Sequence, residues 1–511
     1  MVDCCVLDHW NLLSKSWREA LSDVTAAELQ SLLHQPRHNM KPDSAEKGNN
    51  ISPAFADLQQ SRRKIWPLSL LALRRCCEIY SLDRQGGALP PTARAFLAEV
   101  NTAQHQRPLA PHTMRRVKLK KRHELQRMCA LIGRMRDANA HFDQWLDVGG
   151  GVGHLARHLA ANCNLKVTTV DMSQELIRRA EKLDECWSKR GHCRGTVQHV
   201  RHVVQHIDIA SPVALATSDA ATDSCTVNEP RSRGRPPVVA PPYYCVAGLH
   251  TCGDLAAYVL RLFTNADQCR ALVSVACCYM KLNGGLDKVG RQHWGAAGGL
   301  SQRNRSNRAI SEDAQSTATA DSYRSGFPMS DATTRILDRR HFELSYAARE
   351  LACHSVDAFV HSLGKPDEAA HHRVAHCYRA VLEWLIRRVS PGDQGRHVAT
   401  RGVKNVHRLS FADYLNACGV SDDLHSAIRV ALADETGEVA KFISETLQNS
   451  QRILTIYTLR TMLAPLVETL IVLDRLLYLH QFENIKHNNA FVIPLFDARI
   501  SPRCFALVAW K

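Results

Sequence analysis

Residues 145–156 read Trp145-Leu146-Asp147-Val148-Gly149-Gly150-Gly151-Val152-Gly153-His154-Leu155-Ala156, an apolar run that leads into a glycine-rich turn. This order predicts a buried strand, a tight turn and the start of a helix. Glycines in such a turn adopt positive φ angles and let the backbone approach a ligand, while the amides at the start of the helix stay free to bind it. We therefore expect a cofactor to lie against Gly149, Gly151 and Gly153.

Three acidic residues, one just before the turn and two near the ends of later predicted strands, form a pattern typical of a nucleoside-type cofactor site. Asp171 ends the next predicted strand and is suitably spaced to accept hydrogen bonds from two ribose hydroxyls. Asp147 precedes the first glycine and could engage a positively charged amino-acid group. Asp208, after the third predicted strand, could accept a hydrogen bond from an adenine amine, although a helix cap or a solvated acid would look the same.

Alternating strand and helix patterns continue on both sides of the turn and predict an α/β fold. Parallel strands are expected at 145–148, 166–170, 203–207, 245–249 and 271–276. Two late apolar runs, 491–497 and 504–510, are joined by a turn and predict an antiparallel hairpin along one edge of the sheet. The expected architecture is a doubly wound, Rossmann-like sheet.

The remaining sequence predicts helical regions around this core. We expect an N-terminal helical region at 1–115 and a core at 116–360. The core contains polar insertions at about 210–242 and 283–325, which we expect to be disordered. A late helical insertion follows at 361–488, and the hairpin at 489–511 completes the core sheet.

Composition restricts the partners of the chain. A formal net charge of +15 over 511 residues favours an anionic partner such as RNA. No secretory signal is apparent, and the apolar stretch from Met462 to His480 carries three charged residues, so we expect no membrane association and an intracellular location, cytoplasmic or nuclear. In an intracellular protein we expect the 18 cysteines to be reduced thiols, most of which serve as packing residues. The oligomeric state is not predicted.

Candidate catalytic residues follow the fourth and fifth predicted strands, in Leu249-His250-Thr251-Cys252-Gly253-Asp254-Leu255 and at Cys277-Cys278. The carboxyl ends of central strands form the ligand crevice in such sheets. His250 could serve as a general base, with Asp254 beside it, or both could cap the next helix or orient the cofactor. His250 and the cysteines could also meet at a metal ion, but loop cysteines beside a buried strand are usually packing residues, so the sequence predicts no metal site.

The sequence is compatible with two kinds of cofactor, because residues 151–156 also fit the GxGxxA pattern of dinucleotide-binding proteins. An NAD-dependent oxidoreductase is therefore an alternative. An acid before the first glycine, a basic helix at residues 118–124 ahead of the turn and a terminal hairpin favour an S-adenosylmethionine-dependent methyltransferase. The basic helix could meet a cofactor carboxylate or a substrate phosphate, or could be a solvated helix face.

Several motifs together resemble the methyltransferase-like protein 25 family, including its ribosomal RNA adenine dimethylase domain-containing branch. They are Lys120-Lys121-Arg122-His123-Glu124, the glycine turn, Leu249–Leu255, Leu272–Tyr279, Gly326-Phe327-Pro328-Met329-Ser330 and Ile500-Ser501-Pro502-Arg503. The resemblance extends from about residue 118 to the end of the sequence. It implies a seven-stranded methyltransferase domain that uses S-adenosyl-L-methionine.

One segment departs from the adenine dimethylases. Those enzymes resemble one another in an Asn-Leu/Pro-Pro-Tyr/Phe segment after the fourth strand, where this chain has His250-Thr251-Cys252-Gly253. That segment, with the Cys-Cys after the next strand, looks more like transfer RNA 2′-O-methyltransferases. We therefore expect methyl transfer to a macromolecule, with RNA favoured over protein. A non-catalytic methyltransferase-fold scaffold is the alternative from a different functional class.

Overall fold

The computed structural model describes residues 8–33, 64–102, 117–138, 140–163, 165–188, 197–201, 242–285, 326–390, 400–433 and 437–511. Its helices, numbered in chain order, are α1 Lys15–Leu21, α2 Ala26–Leu33, α3 Leu68–Ile79, α4 Pro91–Val100, α5 Leu119–Asp137, α6 His154–Cys163, α7 Gln174–Ser188, α8 Asp254–Asn265, α9 Asp331–Arg339, α10 Tyr346–Leu351, α11 Val356–Leu363, α12 Pro366–Val389, α13 Phe411–Cys418, α14 Asp422–Leu432, α15 Glu438–Gln448, α16 Ser450–Met462 and α17 Ala464–Leu479. Short 3₁₀ helices occur at Tyr279–Gly285, Val406–Arg408 and His487–Asn489.

The strands form one seven-stranded sheet in the order β3-β2-β1-β4-β5-β7-β6. They are β1 Gln144–Val148, β2 Lys166–Asp171, β3 Val197–Arg201, β4 Tyr244–Thr251, β5 Cys269–Ala276, β6 Ala490–Pro494 and β7 Phe505–Trp510. Strands β1 to β5 run parallel, and β7 is antiparallel to both β5 and β6. The predicted Rossmann-like sheet with a closing antiparallel hairpin is confirmed.

The third strand lies earlier in the chain than the sequence suggests. The structure has β3 at Val197–Arg201, whereas the prediction was 203–207, which falls outside the described residues. Both segments combine valine with histidine and neighbouring polar residues, so composition alone does not distinguish them. Pairing with β2, where Val167 lies opposite Val197, selects the earlier segment. The predicted insertions also lie outside the described residues, except residue 242 and residues 283–285 at the end of a 3₁₀ helix.

The described residues group into two units. One contains the sheet and comprises residues between 82 and 285, 326–353 and 467–511. The other comprises α1 to α3 with α11 to α16, so the N-terminal helices and most of the late helical segment share one unit. In that helical unit, Gln30 Nε2 donates a hydrogen bond to the Val360 carbonyl over 3.0 Å. The structure thus groups the chain differently from the four predicted regions, because α4 and most of α17 belong with the sheet.

The core of the sheet unit is built from strands that are buried on both faces, as parallel central strands require. Every residue of β4 except His250 is buried. Helix α8 covers this strand and β5 with a face that includes the fully buried Phe263. On helix α5, the apolar face carries Leu125, Met128 and Leu131, none of which is exposed to solvent.

Buried charge holds the C-terminal half of this unit together. The Glu468 carboxylate on α17 is almost fully buried and contacts the guanidinium groups of Arg84 and Arg503. The Tyr279 hydroxyl, in the loop after β5, donates to the same carboxylate over 3.2 Å. Glu468 therefore ties α17 to the hairpin and to the loop at the end of β5. Among the helices of the described residues, none is both long enough and apolar enough to cross a membrane.

Replacing Glu468 should destabilise the sheet unit strongly. Glu468→Ala leaves the buried Arg503 without this carboxylate, and breaking a buried ion pair from one side costs about 3–5 kcal/mol. The control is Arg499→Ala, which removes a pair whose Arg499 side chain is 78% exposed and should cost about 0–1 kcal/mol. Urea denaturation of the two variants measures the difference, and equal midpoints would contradict the assignment.

Candidate active site

The site lies where the strand order reverses. From β1 the chain moves to β2 and β3 on one side and resumes with β4 and β5 on the other. Loops at the carboxyl ends of the strands diverge at such a reversal and leave a crevice for ligands. The predicted catalytic and cofactor residues lie at the carboxyl ends of β1, β2 and β4 or in the segments that follow β1 and β4, except Asp208, which is outside the described residues.

The turn after β1 is shaped by glycines with positive φ. Gly149, Gly151 and Gly153 have φ angles of 77°, 58° and 70°, which side-chain-bearing residues rarely adopt. The Gly149 amide donates to the Val170 carbonyl over 2.7 Å, so the turn is fastened to β2. A Cβ atom added to Gly151 would meet no heavy atom within 4 Å. Space beside Gly151 is therefore open to a ligand.

Asp171 holds the turn from the end of β2. One carboxylate oxygen accepts the Gly151 amide at 3.0 Å, and the other accepts the Ser173 amide at 2.8 Å. An ionised carboxylate has about four acceptor positions, so two backbone amides leave capacity for ribose hydroxyls. The predicted cofactor role of Asp171 is compatible with this geometry and remains a prediction.

Asp147 is buried in β1, 3% exposed, near the ammonium group of Lys121 from helix α5. Burial lowers the pKa of Lys121, while the charges of Glu124 and Asp147 oppose that effect. The Lys121 Nζ lies 3.7 Å from Glu124 Oε2. The basic helix thus brings a charged group to the carboxyl end of β1, in keeping with a role at the cofactor site. Asp208, the sixth predicted cofactor residue, lies outside the described residues.

His250 occupies a strained position at the end of β4. The register of β4 against β5 shifts between Leu249 and Thr251, and His250 has a φ of 66°. Positive φ at a residue other than glycine costs free energy and occurs disproportionately at functional sites. This backbone conformation presents the imidazole to helix α5, where its Nε2 lies 2.9 Å from Glu124 Oε1.

Glu124 is a buried acid, 1% exposed, with several partners in the site. It also accepts a hydrogen bond from the Ser501 hydroxyl over 2.8 Å. Burial alone would raise the pKa of Glu124, but hydrogen bonds from His250 and Ser501 and the charges of His250 and Lys121 lower it to about 2. An ionised carboxylate can only accept, so His250 carries a proton on Nε2 and leaves Nδ1 as an acceptor when neutral.

Asp254, predicted beside His250 as a catalytic group, has backbone partners. Its two carboxylate oxygens accept the amides of Asn283 and Gly284, each at 2.8 Å. These contacts hold the loop after β5 against the start of α8. They favour a positioning function for Asp254 over proton transfer.

Three thiols meet beside this histidine. Cys252 Sγ lies 3.5 Å from Cys277 Sγ and 3.3 Å from Cys278 Sγ, and the last two are 3.4 Å apart. All three residues are half-buried. Hydrogen bonds from Cys252 and Cys277 lower the pKa of Cys278. The sequence predicted that these cysteines are packing residues, and in the structure the two loops bring their sulfur atoms together.

The importance of Glu124 was not recognised from the sequence, although a signal exists. Glu124 directly precedes Leu125 and lies four and seven residues before Met128 and Leu131. That spacing puts it on the buried face of α5. An acid on an apolar helix face needs a partner, and His250 provides one. The contact of Ser501 with Glu124 has no comparable local signal.

Comparison with known proteins finds similarity in the part of the chain that contains most of the site residues. Residues 120–285 match the family model described as a methyltransferase domain. The chain is 28% identical over 270 residues to the human protein named probable methyltransferase-like protein 25, across 52% of this chain and 36% of that protein. It is 27% identical over 275 residues to the mouse protein of the same name, across 52% of this chain and 37% of that protein.

The chain thus spans less than two fifths of the length of these relatives. A solved S-adenosylmethionine-dependent methyltransferase from Clostridium acetobutylicum is 18% identical and covers 33% of this chain and 54% of its own, with a TM-score of 0.18. Neither relative's name mentions adenine dimethylation, so that branch of the predicted resemblance stays a prediction. The resemblance to methyltransferase-like protein 25 is confirmed, and residues 120–285 of this chain are similar to a methyltransferase domain.

Proposed function

We propose that this chain transfers the methyl group of S-adenosyl-L-methionine to RNA. The open space beside Gly151, within the segment that matches methyltransferase domains, carries this proposal. A turn with three positive-φ glycines, tied to β2 and to Asp171, has backbone amides and room for a nucleoside-type ligand. The residues present therefore fit the cofactor.

S-adenosylmethionine, when bound, supplies a methyl group that is already activated by a sulfonium. The protein then needs to align an acceptor and remove its proton. His250 is suited to take that proton at Nδ1, because Glu124 holds the Nε2–H on the other side of the ring. Glu124 acts through His250 as a positioning residue, in the manner of a carboxylate that orients a catalytic histidine.

RNA is the favoured substrate for reasons of charge and chemistry. The net charge of +15 favours a polyanion, and the half-exposed Lys120 ammonium lies 3.6 Å from Glu124 beside the histidine. A hydroxyl acceptor requires a base such as His250, and the resemblance of residues 250–253 to the transfer RNA 2′-O-methyltransferases supports an acceptor of that kind. The human and mouse relatives carry the words methyltransferase-like in their names.

Cofactor binding is the first expected outcome. Calorimetry should detect binding of S-adenosylhomocysteine and no binding of NAD. Gly151→Val should abolish that binding, because its side chain would occupy the open space beside the turn.

Gly437→Val is the matched control for backbone strain. Gly437 has a φ of 71° and also has no atom within 4 Å of an added Cβ, but it belongs to the helical unit. Both variants should lose similar stability, whereas only Gly151→Val should lose the ligand. NAD binding without S-adenosylhomocysteine binding would support the oxidoreductase alternative and refute the proposal.

The acceptor can be identified by radiolabelling. The purified chain is incubated with S-adenosylmethionine carrying a tritiated methyl group and with an extract of cells that lack the protein. We expect label that nuclease removes and protease does not. Label that protease removes and nuclease does not would refute RNA as the acceptor and indicate a protein substrate. Cofactor binding with no label in either fraction would favour a non-catalytic scaffold.

His250 and Glu124 should affect turnover more than cofactor affinity. His250→Ala should lower kcat by roughly 10²–10⁴-fold, the usual contribution of acid-base catalysis, with unchanged S-adenosylhomocysteine affinity. Glu124→Gln can donate to Nε2 and stabilise the wrong tautomer, so kcat should fall while KM is kept. The control is His141→Ala, at an exposed position. Equal losses of affinity and rate would instead indicate that His250 orients the cofactor.

A further inference from the structure

The cluster of Cys252, Cys277 and Cys278 is a feature that methyl transfer, as proposed above, does not use. Within the described residues, it is the one group of three or more histidine, cysteine or acidic side chains whose ligand atoms all lie within 4.8 Å of one another. Its sulfur–sulfur separations, 3.3–3.5 Å, are nearly equal. The cluster therefore forms a small triangle of thiols at the carboxyl ends of β4 and β5.

The backbone is arranged to produce this triangle. A Cβ atom on Gly253, which has a φ of 58°, would lie 2.5 Å from both the carbonyl oxygen and the Cβ of Lys281. Only glycine thus lets the turn after β4 approach the loop after β5 so closely. Asp254 fastens the same two segments through the amides of Asn283 and Gly284. Cys252 is brought to the other two cysteines by these constraints.

The dimensions of the triangle fit a tetrahedral metal ion. A zinc ion bonded to each thiolate at about 2.3 Å in tetrahedral geometry would separate the sulfur atoms by about 3.8 Å. The separations differ from that value by a few tenths of an ångström. A disulfide would instead require about 2.05 Å between two of the sulfurs, which no pair approaches. Thiolates are soft ligands that select zinc over magnesium or calcium.

We propose that Cys252, Cys277 and Cys278 bind one Zn²⁺ ion. The ion is held by three thiolates, and the thiol protons are released on binding. Three protein ligands leave a fourth position, as in catalytic rather than structural zinc sites. All three side chains are half-buried, so water or a substrate atom can reach the ion. The complex carries a net negative charge, which the nearby Lys281 ammonium offsets.

This proposal departs from the sequence-based prediction of no metal site, which took Cys252, Cys277 and Cys278 as packing residues. The spacing of Cys252 from Cys277-Cys278 matches no zinc-finger pattern, and only the parallel pairing of β4 with β5 brings the two segments together. The site lies next to His250, two residues from Cys252. Zinc would thus fix the loop that carries the proposed base.

The test measures metal directly in the full chain. Protein expressed with added zinc and purified without chelators should contain about one zinc per chain by plasma mass spectrometry. Cys252→Ser and Cys277→Ser should each lower the content to background, while Cys186→Ser, at an exposed position on α7, should retain it. Circular dichroism verifies that each variant is folded.

A second measurement on the wild-type chain does not depend on variants. After removal of the metal with a chelator, addition of Co²⁺ should produce the intense absorption of thiolate-bound cobalt, and Zn²⁺ should abolish it. Three fewer thiols should react with a colorimetric reagent when zinc is bound. The proposal therefore remains testable even if the cysteine variants fail to fold.

Several outcomes would overturn the zinc site. They are a zinc-free wild-type chain with no cobalt spectrum, zinc retained in both cysteine variants, a disulfide among the three cysteines in non-reducing peptide mapping, and iron with sulfide in place of zinc. None of these measurements uses methyl transfer as a readout. Failure of the zinc site and failure of the proposed function are thus distinguishable.

Discussion

Polar backbone that is removed from water must find a hydrogen-bond partner, and the loops at the carboxyl edge of this sheet satisfy that constraint with carboxylates. Asp171 accepts two amides from the segments after β1 and β2. Asp254 accepts two amides from the loop after β5. Asp474 accepts the amides of Met329 and Ser330 from the segment ahead of α9. Three carboxylates thus hold six backbone amides in these segments.

Glu124 differs from those anchors because its main partner is a side chain. A carboxylate with a pKa of about 2 stays ionised throughout the physiological range, so Glu124 can accept the hydrogen bond from His250 across that range. The contact also satisfies a buried acid, which would lose a hydrogen-bond partner if an apolar residue replaced His250. The backbone at His250 is strained as well, and such strain occurs disproportionately at functional sites.

The sequence was sufficient to predict the glycine turn and the sheet apart from the position of β3, because both depend on local patterns. Buried parallel strands are continuous apolar runs, and positive φ selects glycine at positions 149, 151 and 153. The Glu124–His250 contact and the thiol triangle join residues that are 126 and 25 positions apart. Such contacts follow from strand order and helix packing, which no single segment encodes.

The sequence does not predict which helices belong to which of the two units. Helices α1 to α3 and α11 to α16 give the same amphipathic pattern whether they pack on one another or on a sheet. Their common core includes Leu21, Leu29, Phe359 and Leu454. The first two of these residues are more than three hundred positions away from the last two in the sequence. Local periodicity identifies each buried face but says nothing of its partner.

The position of β7 between β5 and β6 has a consequence for biosynthesis. Strand β5 ends at Ala276 and its neighbour β7 begins at Phe505, so the ribosome adds more than two hundred residues between them. At about 5–20 residues per second this takes roughly 10 to 50 seconds. During that interval one edge of β5, an apolar strand, has no partner in the nascent chain and is open to pairing with other chains. Chaperone protection of this edge during translation would therefore influence how much of the protein reaches its native state.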